Sequence, residues 1–410
     1  MKKIWLVNQY AMPPELESRL RTIKFAQYLT QKGYDVTIFA SSIMHNMDID
    51  LITDKSKYVN KTYGDLKFVH IKTMKYGSNK IVRIISSLQF SMRLKKIIKS
   101  YPKPDIILQT AYIPFGLDMY YVAKKLQAKY IIEIVDLWPE TFVELGLVKK
   151  SNPLLYFAYR AERWIYEKAD HVVFSMEGGV NYIQDKHWDK AQGGKIDLKK
   201  VHYINNGVDL NDFNDYLNKY KLNDKDLSDV NTKKIIYIGA IRLANNIKQL
   251  IDAASLLTDY NDIKFLLYGN GDDREYLELY CKENNINNVI FKEKWIDPKY
   301  VPYVVSCSTV NILNYMPGHF GGYGGSQSKM FQYMASGKPI CCNLQMMYCP
   351  INKNNLGIAQ EFNTMAEYAD AIYKLANLKQ EEVEVIVENN IKTAKMFDYK
   401  VLTEKLIELF

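Results

Sequence analysis

The second half of the chain brings glycine and basic residues together just before an expected helix. Gly239-Ala240-Ile241-Arg242 follows an apolar run, and Lys248 lies six residues beyond Arg242. Arginine and lysine supply positive charge, and the start of a helix presents unpaired backbone N–H groups. These groups suit a ligand with two linked phosphates, although basic residues also occur near helix starts for purely structural reasons.

A second segment of this kind is richer in glycine. Residues 318–326 contain five glycines, a quarter of the 20 in the whole chain. A helix pattern follows at residues 328–335, with Ser326 or Ser328 as its expected cap. Because glycine lets backbone N–H groups approach a ligand closely, we predict an anion-binding loop here. The alternative is a plain flexible loop.

Both halves alternate short β-branched runs with helical patterns, which predicts βαβ units on parallel sheets. Strands are predicted at residues 3–7, 36–39, 68–71, 105–108, 130–135, 171–175 and 201–204, and then at 234–239, 263–268, 289–291, 310–313 and 339–342. Helices are predicted at residues 247–257, 328–335 and 383–410. The expected fold class is α/β, with two doubly wound, Rossmann-like domains and a ligand cleft at the carboxyl ends of their strands.

The length supports this division, because 410 residues exceed the roughly 100–200 of one domain. We expect a first domain at residues 1–209, a polar linker at 210–232 and a second domain at 233–385. The final helices, residues 386–410, could return to the first domain.

Composition and motifs exclude several classes of protein. The hydrophobic fraction of 48% and charged fraction of 24% are typical of soluble globular chains. No run reaches the ~18 apolar residues of a membrane helix, and the N-terminus lacks a secretory signal pattern. The five cysteines show no CxxC spacing, so we expect buried thiols in a reducing cytoplasm and no metal site. The nicotinamide fingerprint, the P-loop, HExxH and GxSxG are all missing from the sequence.

The positive charge is concentrated in one segment. Residues 61–103 carry eleven lysines and arginines against Asp65 alone, in a chain of net charge +8. This predicts an anionic partner, either nucleic acid, phospholipid or a phosphorylated lipid, unless the charges form a solvated face. Nucleic acid is disfavoured because aromatic residues are not interleaved at stacking spacing.

The same segment contains a helical stripe of apolar residues with lysines and arginines beside it. The stripe consists of Ile81, Ile84, Ile85, Leu88 and Met92. Such a helix can lie on an anionic membrane surface. The alternative is an internal helix that packs against the first sheet.

Ordered motifs along the chain resemble those of glycosyltransferase family 4, and most closely its bacterial capsule and O-antigen branch. They are Gly239…Arg242…Lys248, Tyr268-Gly269-Asn270-Gly271, residues 328–340, Asp136-Leu137-Trp138-Pro139-Glu140 and residues 204–209. The resemblance implies a GT-B fold and retaining, metal-independent transfer without a cofactor. The implied donor is a nucleotide sugar, expected to be UDP-linked. The implied acceptor is a saccharide on a polyprenyl diphosphate carrier, reached by a cytoplasmic, peripheral enzyme at the inner face of the plasma membrane.

The resemblance also assigns residues in the second half. Arg242 and Lys248 hold the donor diphosphate, and His319 is a candidate contact to the donor sugar. Further donor contacts fall on Gly239, Gly269, Gly324, Gly325, Ser326, Gln327, Ser328, Lys329 and Gln332. The two glutamates of the family fall on Gly324 and Gln332, so both carboxylates are missing, although Gln332 can still bond ribose hydroxyls.

In the first half, Asp136 and Glu140 are candidates to position the acceptor hydroxyl, unless they serve as helix caps. Trp138 either stacks on a sugar or fills the core. Arg19 occupies the basic position of the family beyond a turn, residues 11–15, that replaces the family's glycine-rich turn.

Three functions therefore remain open. The first is a glycosyltransferase of class EC 2.4 that transfers a hexosyl or N-acetylhexosaminyl group. The second is a homologue with weak or no activity that binds a nucleotide sugar or partners another transferase, which the two missing glutamates favour. The third is a nucleotide-sugar 2-epimerase, which those missing carboxylates disfavour.

Overall fold

The computed structural model describes residues 1–16, 20–44, 47–77, 79–111, 118–144, 146, 148–316 and 322–410. Contacts divide the chain into two compact units. Unit 1 comprises Met1–Asn205 and Leu402–Phe410, and unit 2 comprises Asn206–Val401.

Unit 1 contains, within the described residues, an eight-stranded sheet in the order β3-β4-β2-β1-β5-β6-β7-β8. Its strands are β1 (Lys3–Val7), β2 (Asp35–Ser41), β3 (Tyr58–Tyr63), β4 (Leu66–Ile71), β5 (Ile106–Thr110), β6 (Lys129–Ile134), β7 (His171–Phe174) and β8 (Val201–Tyr203). All pairs in this sheet are parallel except β3 with β4. The central strands are apolar and buried on both faces, as expected for parallel strands covered by helices.

The helices of unit 1 follow its strands in the βαβ pattern. They are α1 (Arg21–Gln31), α2 (Lys80–Ile97), α3 (Asp118–Leu126), α4 (Glu140–Glu144), α5 (Pro153–Lys168) and α6 (Gly179–Asp185). None of the helices in the described ranges is long and apolar enough to cross a membrane.

A buried ion pair connects α1 to the sheet of unit 1. The Arg21 Nε donates to Glu133 Oε1 at 2.7 Å, and both residues are nearly inaccessible, at 6% and 3% exposed. The remaining guanidinium nitrogens donate to the backbone carbonyls of Ile204, at 2.7 Å, and Asn205. The second Glu133 oxygen accepts from Thr110 at 2.9 Å. All the charged atoms of this pair are therefore bonded, which is what burial of an ion pair requires.

Unit 2 contains a six-stranded parallel sheet, counted over the described residues, in the order β11-β10-β9-β12-β13-β14. Its strands are β9 (Lys233–Ile238), β10 (Ile263–Tyr268), β11 (Val289–Phe291), β12 (Val310–Leu313), β13 (Ile340–Cys342) and β14 (Gly357–Ala359). Its helices are α7 (Leu210–Lys219), α8 (Lys225–Ser228), α9 (Ile247–Ser255), α10 (Arg274–Glu283), α11 (Val301–Ser306), α12 (Ser328–Ala335), α13 (Pro350–Lys353), α14 (Met365–Ala376) and α15 (Gln380–Met396). The last helix, α16 (Tyr399–Ile407), runs from unit 2 into unit 1.

The α/β fold class with two Rossmann-like sheets is confirmed. Two strands lie outside the prediction. The antiparallel strand β3 alternates exposed and half-buried residues and includes Asn60 and Lys61, so it lacks an apolar run. Strand β14 is three residues long and begins with a glycine.

The polar stretch expected as a linker forms α7 and α8 and belongs to unit 2. Each helix buries one apolar residue, Phe213 in α7 and Leu227 in α8, and α8 also buries Asp226. The helix expected at residues 383–410 is interrupted at Phe397 and Asp398, where Val208 pairs with the chain. The contact division places Leu402–Phe410 in unit 1.

Candidate functional site

The loops that follow β9 and β10 pack backbone against backbone at the carboxyl edge of the unit 2 sheet. Gly239 N–H donates to the Tyr268 carbonyl at 3.0 Å, and Ile241 N–H donates to the Asn270 carbonyl at 2.9 Å. A Cβ atom at Gly269 would lie 2.0 Å from the Gly239 carbonyl oxygen. Gly269 is therefore required for packing between the two loops, whether or not it also contacts a ligand.

We expect Gly269→Ala to lower the free energy of unfolding of the protein by at least about 2 kcal/mol. Two costs combine, because the new Cβ overlaps a backbone oxygen and because Gly269 has φ +127°, a conformation that favours glycine. Urea denaturation measures the effect. Gly322→Ala is the matched control, since a Cβ there meets no atom of the described residues within 4 Å. Equal stability of the two variants would contradict this reading of the loops.

We call the place where the loops after β9 and β10 meet, at Gly239 and Gly269, the corner. Lys329, in the first turn of α12, extends its side chain to this corner. Its Nζ lies 2.9 Å from the position that a Cβ at Gly239 would occupy. The ammonium donates to the Tyr237 hydroxyl at 3.2 Å and lies 4.4 Å from the centre of that ring. Burial lowers the pKa of Lys329 to about 8. The structure thus brings together Gly239, Gly269 and Lys329, three of the residues assigned to the donor, and it is the Lys329 side chain that reaches the corner.

Arg242 lies on the exposed side of this corner. It precedes the turn Leu243–Asn245 and lines an open depression with Asn270, Asp272 and Lys294. A Cβ at Gly271 would lie 2.9 Å from the Arg242 Cγ, so this glycine leaves space for the arginine stem. The guanidinium remains exposed to solvent, where it can reach an anionic ligand.

Lys248 points away from the corner. Its Nζ contacts both carboxylate oxygens of Asp252, at 2.9 and 2.8 Å, and the Tyr280 hydroxyl at 3.3 Å. Desolvation opposes the charged form, but the hydrogen bonds to Asp252 and Tyr280 raise the pKa of Lys248 overall. The role predicted for Lys248 at a diphosphate stays a prediction, and its positive charge is already balanced by a carboxylate.

The glycine-rich segment is described from Gly322 onward, so His319 lies outside the described residues. Gly324 has φ +91°, a left-handed conformation that a glutamate would adopt only under strain. A Cβ at Gly325 would lie 2.5 Å from the Met346 sulfur. Ser326 Oγ accepts from the Asn206 N–H at 3.0 Å, which fixes this loop to the start of unit 2.

Helix α12 begins as predicted, but its cap differs. Gln327 occupies the N-cap position in place of Ser326 or Ser328, and its side chain makes no cap hydrogen bond. The buried side-chain oxygens of Gln327 and Gln332 have no hydrogen-bond partner within the described part of the chain. Both oxygens could accept a bond from a ligand hydroxyl.

Two asparagines that the sequence analysis missed hydrogen-bond the chain at the start of α9, next to the corner. Asn314 follows β12 and donates to the carbonyls of Asn245, at 2.9 Å, and Asn246, at 2.6 Å. Asn343 follows β13 and donates to Gln249 Oε1 at 2.6 Å. Their signal in the sequence is a polar residue directly after a buried strand, which in parallel sheets marks the ligand edge.

The predicted residues of unit 1 lie around α4. Asp136 is exposed, and Trp138 is half-buried and packs edge to face on Phe142, with ring centres 3.9 Å apart. The Glu140 carboxylate accepts from the Tyr159 hydroxyl at 2.6 Å and from Lys186 Nζ at 2.5 Å. Glu140 thus already has two partners within unit 1. Arg19 lies outside the described residues.

A metal site has no candidate ligands in the described ranges, where no three His, Cys, Asp or Glu side chains form a suitable group. The cysteines there are all unpaired thiols, and burial raises the pKa of Cys342 to about 12. The groups at the unit 2 corner that can bind an anion are the side chains of Arg242 and Lys329 and nearby backbone N–H groups.

Comparison with protein-family models gives two matches that together span most of the chain. Residues 218–393 match the glycosyl transferases group 1 model, and residues 21–212 match the glycosyltransferase family 4 model. The chain therefore contains a glycosyltransferase family 4 domain followed by a glycosyl transferases group 1 domain. The first model includes the corner with Gly239, Arg242 and Lys329, and the second includes residues 136–140.

Solved structures confirm the fold of this glycosyltransferase. Sucrose-phosphate synthase from Thermosynechococcus elongatus is 15% identical with a TM-score of 0.71, covering 100% of this chain and 98% of its own. A trehalose-6-phosphate structure from E. coli bound with UDP-2-fluoro glucose is 12% identical with a TM-score of 0.75, covering 99% and 98%. WaaG, a glycosyltransferase involved in lipopolysaccharide biosynthesis, is 11% identical with a TM-score of 0.66, covering 99% of both chains. Comparison with curated protein sequences finds no match.

Proposed function

We propose that this protein transfers a sugar from a nucleotide-sugar donor, UDP-linked, to a saccharide acceptor of bacterial surface polysaccharide biosynthesis. The observation that carries the donor assignment is the corner after β9 and β10, where Arg242, Lys329 and glycine backbone converge in the segment that matches the glycosyl transferases group 1 model. UDP is favoured because the E. coli structure of the same fold contains a UDP sugar.

Transfer places new negative charge on the β-phosphate when the bond to the anomeric carbon breaks. Fixed cations at that position stabilise the transition state more than the bound substrate, because the charge is still developing. Arg242 is proposed to supply one such cation. In a retaining, front-face scheme the phosphate oxygen accepts the proton of the acceptor hydroxyl, so no metal and no separate base are needed.

Sugar and ribose recognition is assigned to α12 and the loop before it. The Gln332 side-chain oxygen is buried and unpartnered within the described residues, and a ribose hydroxyl would satisfy it. No carboxylate stands at position 324, where glycine fits the left-handed backbone. Backbone N–H groups near Gly325 and Ser328 are proposed to face the sugar and phosphates instead.

The acceptor is assigned to unit 1, where exposed Asp136 and half-buried Trp138 follow β6. Asp136 is proposed to orient the acceptor hydroxyl and Trp138 to contact a sugar ring. Glu140 is proposed to hold this segment in place through Tyr159 and Lys186 rather than to bond the acceptor itself.

A donor panel tests the proposed function. The full chain is incubated with UDP-, GDP- and dTDP-sugars, with and without saccharide acceptors, and release of the nucleoside diphosphate is measured. We expect release or transfer with one UDP-sugar. Tight binding of a nucleotide sugar without turnover would favour the alternative that this protein is a homologue without catalytic activity. The missing carboxylates at Gly324 and Gln332 support that alternative.

A membrane-bound acceptor is supported by helix α2. The face that includes Phe90 and Leu94 is buried in unit 1, whereas a second apolar face is exposed, with Ile81 71% and Met92 54% exposed. The remaining exposed apolar residues of this face are Ile84, Ile85 and Leu88. The alternative of an internal helix therefore explains the face of α2 that packs in unit 1. It does not explain the predicted stripe, which no described residue of the chain covers.

Exposed lysines lie at the end of α2, and α5 carries further exposed apolar residues. Lys96 and Lys99 are exposed, as are Leu154 and Phe157 in the first turns of α5. Helix α3 connects α2 to α5, since Asp118 accepts from Ser91 at 2.6 Å and Tyr121 packs against Trp164. This combination suits an anionic membrane surface, so we propose peripheral attachment to the inner leaflet through α2 and α5.

We expect the protein to sediment with vesicles that contain anionic lipid and to be released by high salt. Ile81→Ser combined with Met92→Ser removes apolar contact and should abolish most sedimentation, and Lys96→Gln should weaken it roughly fivefold, since each basic residue contributes about 1 kcal/mol. Leu279→Ser is the control, an exposed leucine on α10 of unit 2. Sedimentation that is indifferent to lipid charge would contradict the proposal.

A further inference from the structure

The ammonium of Lys329 is held at the corner after β9 with few partners. Its Nζ donates one hydrogen bond, to the Tyr237 hydroxyl at 3.2 Å. The other two N–H groups have no acceptor, and no carboxylate pairs with the side chain, among the described residues. A lysine in this position is costly, because a partly buried charge is destabilising unless a counter-charge accompanies it.

Two other lysines of unit 2 have carboxylate partners. Lys292, whose side chain is 11% exposed, pairs with Asp224 at 2.7 Å and Asp226 at 2.9 Å. Lys248 pairs with Asp252 at 2.8 Å. Lys329 differs in that its neighbours are the Tyr237 ring and the backbone of Gly239, neither of which is charged.

The position next to Gly239 also explains what that glycine does. Any side chain at position 239 would begin 2.9 Å from the Lys329 Nζ and would cover it. Glycine leaves the ammonium open at the carboxyl end of β9, where parallel sheets bind their ligands.

We infer that Lys329 supplies the positive charge that binds the donor diphosphate, in the place that the sequence assigns to Lys248. This inference rests on the proposed function, since it names the counter-charge within the same donor site. The ligand is the diphosphate of a nucleoside diphosphate or nucleotide sugar. A lysine acts there as a point charge with several rotatable donors, and Arg242 contributes the planar guanidinium on the exposed side.

The pH dependence of binding follows from the groups around Lys329. Tyr237 on β9, Tyr333 on α12 and Cys342 on β13 all have pKa values raised by burial, that of Cys342 to about 12, so they stay neutral between pH 7 and 9. Lys329, with a pKa near 8, is the group that changes charge in this range. A bound diphosphate favours its protonated form. Above pH 8 the free protein must take up a proton to bind, so affinity falls as pH rises; below pH 7 Lys329 is already protonated and adds no pH dependence of its own.

Calorimetric titration of the full chain with UDP tests the inference. We expect Lys329→Met, which keeps most of the apolar stem, to weaken UDP binding roughly 10–100-fold while uridine binding stays unchanged, because uridine has no phosphate. Lys329→Arg should retain part of the affinity and lose the pH dependence near pH 8, since guanidinium does not titrate there. Lys282→Met, an exposed lysine of α10, is the matched control.

The outcomes separate this inference from the proposed function. If Lys329→Met binds UDP as tightly as the wild-type protein and the binding still depends on pH, the role proposed for Lys329 is wrong. The proposed donor site is not affected by that outcome. Proton uptake at pH 8.5, read from titrations in two buffers of different ionisation heat, must disappear in Lys329→Met. Failure of the wild-type protein to bind UDP, GDP and dTDP contradicts the proposed function and this inference together. Thermal unfolding of each variant shows whether it is folded.

Discussion

Arg242→Ala is expected to reduce sugar transfer about 10²–10³-fold, which corresponds to ~2.7–4 kcal/mol of lost transition-state stabilisation. The guanidinium lies on the exposed side of the corner after β9, which is the proposed position of the departing diphosphate. The fold should be unaffected, because the Arg242 side chain caps no helix and is exposed to solvent.

The measurement is the initial rate of transfer with the donor that the panel identifies, at several donor concentrations. A drop in kcat shows that Arg242 acts in the transition state, whereas a change in KM alone shows uniform binding. Arg163→Ala is the control, since Arg163 pairs with Glu167 on α5 of unit 1. Wild-type kcat in Arg242→Ala would contradict the assignment of the leaving group to this corner.

Arg21→Met is expected to lower the free energy of unfolding by about 3–5 kcal/mol, because it leaves the Glu133 carboxylate buried without its counter-charge. The loss includes the bonds from the guanidinium to the carbonyls of Ile204 and Asn205, which connect α1 to the chain after β8. Equilibrium urea denaturation of the full chain, monitored with a spectroscopic probe in unit 1, measures the change in the free energy of unfolding.

A second variant identifies the cause of this loss. Arg21→Met with Glu133→Gln removes the unpaired charge and should recover part of the stability lost in Arg21→Met. Arg163→Ala, which breaks a half-buried pair one turn apart on α5, should cost no more than about 1 kcal/mol. A loss below about 1 kcal/mol for Arg21→Met would show that the buried pair contributes little to the stability of unit 1.

The sequence was sufficient to predict the parallel strands except β14, because most of them are short, largely apolar runs that are buried on both faces. Strand β10 was predicted at residues 263–268 and lies at Ile263–Tyr268. Strand β3 escaped prediction because one of its faces is solvated and its polar residues resemble a loop. The helices α7 and α8 escaped for a related reason, since each buries a single apolar residue.

The site was predictable as a region but not as a set of side chains. Lys248 was predicted to bind the diphosphate because it lies six residues after Arg242. The direction of a lysine side chain depends on its neighbours, however, and the Lys248 ammonium bonds Asp252 and Tyr280. Lys329 was predicted for its backbone N–H, whereas its side chain reaches Gly239 through a contact between distant segments. Such contacts appear only once the sheet is assembled.

Helix α2 illustrates the same difficulty on the surface. The sequence showed an apolar stripe with adjacent cations but not whether the stripe faces the core. The structure shows one apolar face buried through Phe90 and Leu94 and a second face, with Ile81 and Met92, exposed. The spacing of apolar residues alone cannot show which of the two faces of α2 is buried, because the residues of both faces repeat with the helical period.

Calorimetric titration of the full chain with UDP, GDP and dTDP, each beside its nucleoside, tests the central claim most directly. Two cations and free backbone N–H groups at the carboxyl edge of the unit 2 sheet should make one diphosphate, expected to be UDP, bind at least roughly 100-fold more tightly than its nucleoside. Equal affinity for diphosphates and nucleosides, or binding of neither, would contradict the account.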